Sequence, residues 1–333
     1  MPGRSNSLDA VRGTAIALVV GYHYWPGIVS AGDDFGVGLF FVLSGYLIGG
    51  ILLDNRESGR FFSTFYGRRA FRILPLYALL LVFSIASLQN APLWWFATFS
   101  QNIGWAVTNS FPVGEPLSVT WSLAVEEQFY LVLPILVWLL SPCWLIRVLW
   151  CCVITAPLWR WAAFHFLDAP AAIILLPCRL DTLMSGTLIA CLQRGSGMLN
   201  LRWILLALVA PALDAALHLL DASFTIRNLS AIALVLSACL ICAIRFPQQR
   251  FTLLRPLCWL GIGAYAVYLF HIPILALSAQ NKAVAVFVTA VVASICWYFV
   301  ESPLINLARL RWSYSRLGDE GVTIQPIVPA PGQ

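Results

Sequence analysis

Charge is what this chain has least of. Asp, Glu, Lys and Arg make up 11% of its 333 residues against 60% hydrophobic ones, and the mean hydropathy is +0.82. Soluble domains carry about 25% charged and roughly 45–50% apolar residues. The deficit excludes a soluble enzyme and a disordered chain. Nucleic acid is excluded as a partner, because the 20 basic residues behind the net charge of +5 are scattered between apolar runs. Matched cysteine pairs are missing too. No C-x-x-C is answered by a second pair or by His at zinc spacing, so the nine cysteines read as small apolar fillers and no metal site is expected. A cleavage signal is also lacking: the first apolar run continues through Gly21, Tyr22, His23, Tyr24 and Trp25 with no small-residue site, which reads as permanent structure.

Long apolar runs are what the chain does have. Ten candidate spans lie near 9–28, 36–53, 73–89, 121–140, 146–165, 174–192, 202–220, 228–244, 257–278 and 283–300. Residues 54–72 read as a basic loop, residues 90–120 as a long loop rich in Trp, Asn, Pro and Gly, and 312–333 as a disordered cytoplasmic tail. With the N-terminus in the cytoplasm, 16 basic residues fall inside; Arg160, Arg179, Arg227 and Lys282, the other 4, fall on the outer half. An odd number of spans spoils that asymmetry. The expectation is an all-α membrane protein: a bundle of about ten transmembrane helices over residues 1–311, with both termini cytoplasmic.

Ionisable groups within such a bundle need partners or a function. Arg12 and His23 are eleven residues apart, so they share one helix face across a rise of about 16.5 Å. Ser122, Glu126 and Tyr130 are spaced by four and line one face of the fourth span, while Glu127 points about 100° away and reads as wetted at the interface. Arg69 and Arg72 stand one turn apart where the basic loop enters the third span. They read either as an ordinary positive-inside anchor or as a fork for the phosphates of a cytosolic ligand.

Taken together, these segments resemble the acyltransferase-3 family of membrane acyltransferases. Leu8–Gly13 followed by His23 is similar to that family's Arg-x10-His opening, and Phe35–Ile48 to its second-helix signature. The Arg69-x-x-Arg72 segment, the run from Trp121 to Tyr130, Arg179–Leu180–Asp181, Tyr265–Pro273 and Tyr298–Pro303 also match, in the family's order, across residues 8 to 305. Gly38 stands where many relatives carry an acid, whose role is absent here or moved to Asp33 or Asp34. Some relatives carry a fused extracytoplasmic hydrolase-like domain; this chain resembles the single-module members.

The resemblance implies an O-acetyltransferase of the bacterial inner membrane. It would move an acyl group, expected to be acetyl, from cytosolic acyl-CoA to a hydroxyl of a carbohydrate or lipid-linked glycan, with no tightly bound cofactor. Arg12, Arg69 and Arg72 would hold the CoA headgroup. His23 would be catalytic, as general base or as transient acyl carrier, with Glu126 meeting it and orienting it. Trp121, Ser122, Tyr130, Arg179, Asp181 and His271 are read as substrate-binding, with His271 also the reserve catalytic candidate; His165 and His218 have no such support. The competing reading is a proton-coupled secondary transporter, against which the chain shows no repeat between its halves.

Overall fold

The computed structural model describes residues 6–84, 92–195, 201–245 and 254–314, and among them it is all-helical. Three long helices open the chain: α1 (Asn6–Tyr24), α2 (Gly32–Asp54) and α3 (Phe61–Phe83). Two short ones, α4 (Leu93–Ala97) and α5 (Gln101–Thr108), precede α6 (Thr120–Leu139) and α7 (Pro142–Phe166). After α8 (Ala171–Ile174) and a 3-10 turn at Leu176–Arg179 come α9 (Leu180–Arg194), α10 (Leu201–Leu220) and α11 (Leu229–Arg245). The chain closes with α12 (Arg255–Ile262), α13 (Ala264–Leu277), α14 (Lys282–Cys296), a π-helical turn (Trp297–Glu301) and α15 (Ser302–Arg311).

Four helical stretches among the described residues are long and apolar enough to cross a membrane: α2, α6, α7 and the run Lys282–Arg311. The bent pair of α12 and α13 makes a fifth. The remaining helices miss that standard for physical reasons. The 15 residues of α9 rise only about 22 Å, short of a roughly 30 Å hydrocarbon core. The first half of α3 carries Arg68, Arg69 and Arg72.

Three boundaries correct the sequence reading. Helix α3 begins at Phe61, so residues 61–72 of the expected basic loop are helical; Phe61 and Phe65 are buried and fix that first turn in the core. The 90–120 segment contains α4 and α5 rather than loop alone. The expected ninth span is broken at Gly263, where α12 and α13 meet at 76°. Residues 315–333, most of the expected tail, lie outside the described residues.

Close helix contact is secured by reciprocal glycines. A Cβ at Gly45 would sit 1.9 Å from the Leu183 carbonyl oxygen, and one at Gly186 the same distance from that of Val42, so α2 and α9 touch backbone to backbone. Gly13 and Gly261 do the same for α1 and α12, against Leu257 and Asp9. Small residues drive packing in this way where lipid leaves no hydrophobic gain between helices. All nine cysteines are free, and Cys143, Cys151, Cys239 and Cys242 face outward rather than filling the interior.

On the half assigned to the outer side, Arg160 is fully buried and holds four helices together. Its guanidinium donates to Asp181 and Asp214, each at 2.8 Å, and to Ser230 Oγ at 2.6 Å, joining α7, α9, α10 and α11.

Candidate active site

A cavity of about 360 Å³ opens among α1, α2, α3, α6, α13 and α15. Its wall on α2 runs from Val37 to Ile51, about 21 Å of helix, so the space is elongated. Arg12, Arg69, Arg72 and Arg309 line it, and all four lie where the helices carry the basic residues assigned to the cytoplasmic face. Farther along stand Ser44, Glu126 and Tyr130, then Ser122 and Tyr268.

Helix periodicity delivers this arrangement. Positions 122, 126 and 130 of α6 do share one face, and that face looks into the cavity. Ser44 Oγ donates to Glu126 Oε1 at 2.9 Å and the Tyr130 hydroxyl to Oε2 at 3.2 Å, so both carboxylate oxygens have a donor. Arg69 lies over the Tyr130 ring, 5.9 Å from its centroid, and within electrostatic reach of Glu126 and Glu127. Glu127 is not wetted as expected: its Oε1 is enclosed and has no hydrogen-bond partner. Arg12 reaches the cavity while paired with Asp9 at 3.1 Å.

His23 does not line the cavity and does not bond Glu126. The expected pairing is replaced by another, because the glutamate is engaged by Ser44 and Tyr130 and the imidazole faces a second imidazole. His271 Nε2 lies 3.3 Å from His23 Nδ1, with the ring centroids 5.0 Å apart. His271 Nδ1 sits 2.8 Å from the Tyr268 carbonyl oxygen and His23 Nδ1 sits 2.9 Å from that of Val19. Carbonyls only accept, so each neutral ring carries its proton on Nδ1. His271 therefore offers a lone pair to His23, and His23 keeps Nε2 unprotonated, the form a general base requires.

The imidazole pair is tied to the cavity through Tyr268. Its hydroxyl meets Ser122 Oγ at 2.5 Å, and its ring centroid is 6.0 Å from that of His271. Tyr24 anchors the far side, donating to the His271 carbonyl at 2.9 Å. Asp33 lies within electrostatic reach of His23 and Arg179.

The other sequence candidates sit apart from the cavity. Trp121 and Arg179 form a cation–π pair 5.2 Å apart, with Arg179 Nε also donating to the Ile173 carbonyl. Asp181, a substrate-binding candidate, has its carboxylate accepting from Arg160, from Ser230 Oγ at 2.7 Å and from the Thr182 amide at 2.9 Å. His165 is stacked on Trp161 and paired with Asp221, whose carboxyl is held below the ordinary range by the Ser223 hydroxyl and the Trp161 indole N–H. His218 lies between the carbonyls of Asp214 and Ile226.

Among the lining residues that sequence reasoning did not single out are Ser44, Tyr268, Glu301 and Arg309. Tyr268 and Glu301 lay inside motifs already singled out, and an acid at the end of the 283–300 apolar run was itself a signal for Glu301.

A family model described as an acyltransferase domain, acyltransferase-3, matches residues 5–305. Peptidoglycan O-acetyltransferase OatA of Listeria monocytogenes is 26% identical over 352 residues, covering 90% of this chain and 55% of its own length. YrhL of Bacillus subtilis is 28% identical, covering 89% and 54%, and O-acetyltransferase OatA of Staphylococcus aureus is 26% identical, covering 89% and 56%. The chain thus spans about half the length of these relatives. No solved structure matches it.

Proposed function

The chain belongs to the acyltransferase-3 family, and from that premise we propose that it is a membrane O-acetyltransferase that takes an acetyl group from acyl-CoA and gives it to a glycan hydroxyl. The names of two of its relatives favour peptidoglycan as the acceptor. The family match lends no support to the transporter reading.

One observation carries the proposal: an elongated cavity with four arginines at the end assigned to the cytoplasm reaches, at its other end, a tyrosine in contact with a paired imidazole. Arginine forks suit phosphates, and the apolar stretch of Val37, Phe40 and Leu47 suits an extended acyl-thioester arm. Beyond the far end, across Tyr268 and His271, His23 Nε2 removes the proton from the acceptor hydroxyl, whose oxygen attacks the thioester carbonyl. The C–S bond breaks, and the imidazolium returns its proton to the departing thiolate. Glu126 belongs to the donor side in this scheme, where it fixes Ser44 and Tyr130 beside Arg69.

The same reading takes residues 1–311 as one transmembrane unit of ten spans in a bacterial inner membrane. α12 and α13 form one span and α14 with α15 another, and both ends of the unit are cytosolic. Donor then enters from the arginine end and acceptor from the outer face near His23 and Asp33.

The test is thiol release by the purified full chain in lipid nanodiscs, supplied with acetyl-CoA and N-acetylglucosamine oligomers. Release that rises with oligomer concentration, with acetyl recovered on the oligomer, is the expected result. Absence of both release and CoA binding contradicts the reading.

A further inference from the structure

Glu301 is the group in the cavity wall that the scheme above leaves without work. It is 4% exposed, its Oε1 has no hydrogen-bond partner, and it lines the cavity beside Arg72. A buried carboxylate oxygen with no donor is costly and is retained where something supplies that donor. Arg72 approaches without forming an ion pair. The backbone adds a second, independent sign: Glu301 ends the π-helical turn Trp297–Glu301, and such insertions recur at functional sites.

The residues that follow extend the pattern. Ser302, Asn306 and Arg309 are spaced by four and three, share one face of α15, and all line the cavity with Ile305 between them. From Glu301 to Arg309 the helix rises about 12 Å. The wall therefore offers, in sequence, an acceptor, a hydroxyl, a carboxamide and a guanidinium, separated by apolar surface. Four arginines make the cavity anion-seeking, yet an acceptor without a partner calls for an N–H or O–H donor. A ligand that satisfies both carries phosphate at one end and amide N–H groups along an otherwise apolar arm.

Resting on the acyl-CoA reading above, we propose that Glu301, with Ser302 and Asn306, forms the subsite for the amide-bearing arm of the donor, and that Glu301 accepts one of its amide N–H groups. Arg309 takes the phosphate end. Glu301 thereby selects donors that carry the arm over free nucleotide phosphates.

The experiment compares two probes on the full-length protein: CoA, which has the arm, and adenosine 3′,5′-bisphosphate, which has the nucleotide and lacks the arm. Binding of each is measured by displacement of a fluorescent CoA analogue. Glu301→Leu is expected to weaken CoA about tenfold or more, the scale of a hydrogen bond to a charged group, and to leave the bisphosphate within about twofold. Glu301→Gln, which keeps an accepting oxygen, recovers most of the affinity. Asn306→Leu, at an exposed position of the cavity wall, is expected to show the same split in smaller measure and decides the matter if Glu301→Leu does not fold. Equal weakening of both probes, or of neither, overturns the subsite while leaving the donor reading intact. A wild-type protein that binds neither probe overturns the donor reading, and the subsite with it.

Discussion

The imidazoles of His23 and His271, from helices almost at opposite ends of the chain, face each other at 3.3 Å between Nδ1 and Nε2. Neither ring is free to choose its proton, because backbone carbonyls of Val19 and Tyr268 hold Nδ1–H in both. The relationship turns one histidine into the support of the other. The Nδ1 side of His23 is thus taken by His271 and the Val19 carbonyl, while Glu126 is engaged by Ser44 and Tyr130.

In the proposed scheme His271 acts through His23. His271→Ala is expected to lower kcat by at least tenfold with KM for acyl-CoA unchanged, and to shift the pH profile of kcat. His271→Gln presents an accepting Oε1 to His23 Nδ1–H and is expected to recover part of the rate. Equal losses in both variants, with an unshifted profile, would mark His271 as packing alone.

Arg69 and Arg72 lie on α3 rather than in a loop, so their positions are fixed before any ligand arrives. Arg→Ala at either is expected to raise KM for acyl-CoA roughly 10- to 150-fold, the scale of one charge-assisted phosphate contact. The gap from wild type should narrow as salt screens the remaining charges. Normal KM with poor expression would make them membrane anchors.

The Arg160 cluster predicts a loss of a different kind. Arg160→Leu leaves Asp181 and Asp214 buried without their cation, and removing one partner of such a pair costs about 3–5 kcal/mol. The variant should unfold at a clearly lower temperature in detergent, as followed by tryptophan fluorescence. Any protein that stays folded should bind CoA normally, since the cluster lies apart from the cavity. An unchanged transition would show the network to be dispensable.

Composition and motif order made the all-helical membrane class and the family legible, because both are written in one-dimensional patterns. The face formed by Ser122, Glu126 and Tyr130 was legible for the same reason: a spacing of four is a helix face. Long-range pairing was not. Nothing local in the sequence says that His23 meets His271 or that Glu126 meets Ser44; those contacts depend on helix packing set by Gly45 against Leu183 and Gly13 against Leu257. Nor does the sequence say that Asp181 meets Arg160, two helices earlier. The early start of α3 was hidden by its arginines, which read as loop by polarity, although Phe61 and Phe65 on the same turns carried the opposite signal.

The central claim is that the donor is held in the cavity and that chemistry takes place beyond its far end, at His23, which Tyr268 and His271 join to the cavity. The most direct measurement is acetyl transfer from radiolabelled acetyl-CoA to a glycan oligomer by His23→Ala, with CoA affinity measured on the same sample. The account predicts transfer lowered to background while CoA affinity stays within about twofold of wild type. Transfer near the wild-type rate in that variant would contradict it.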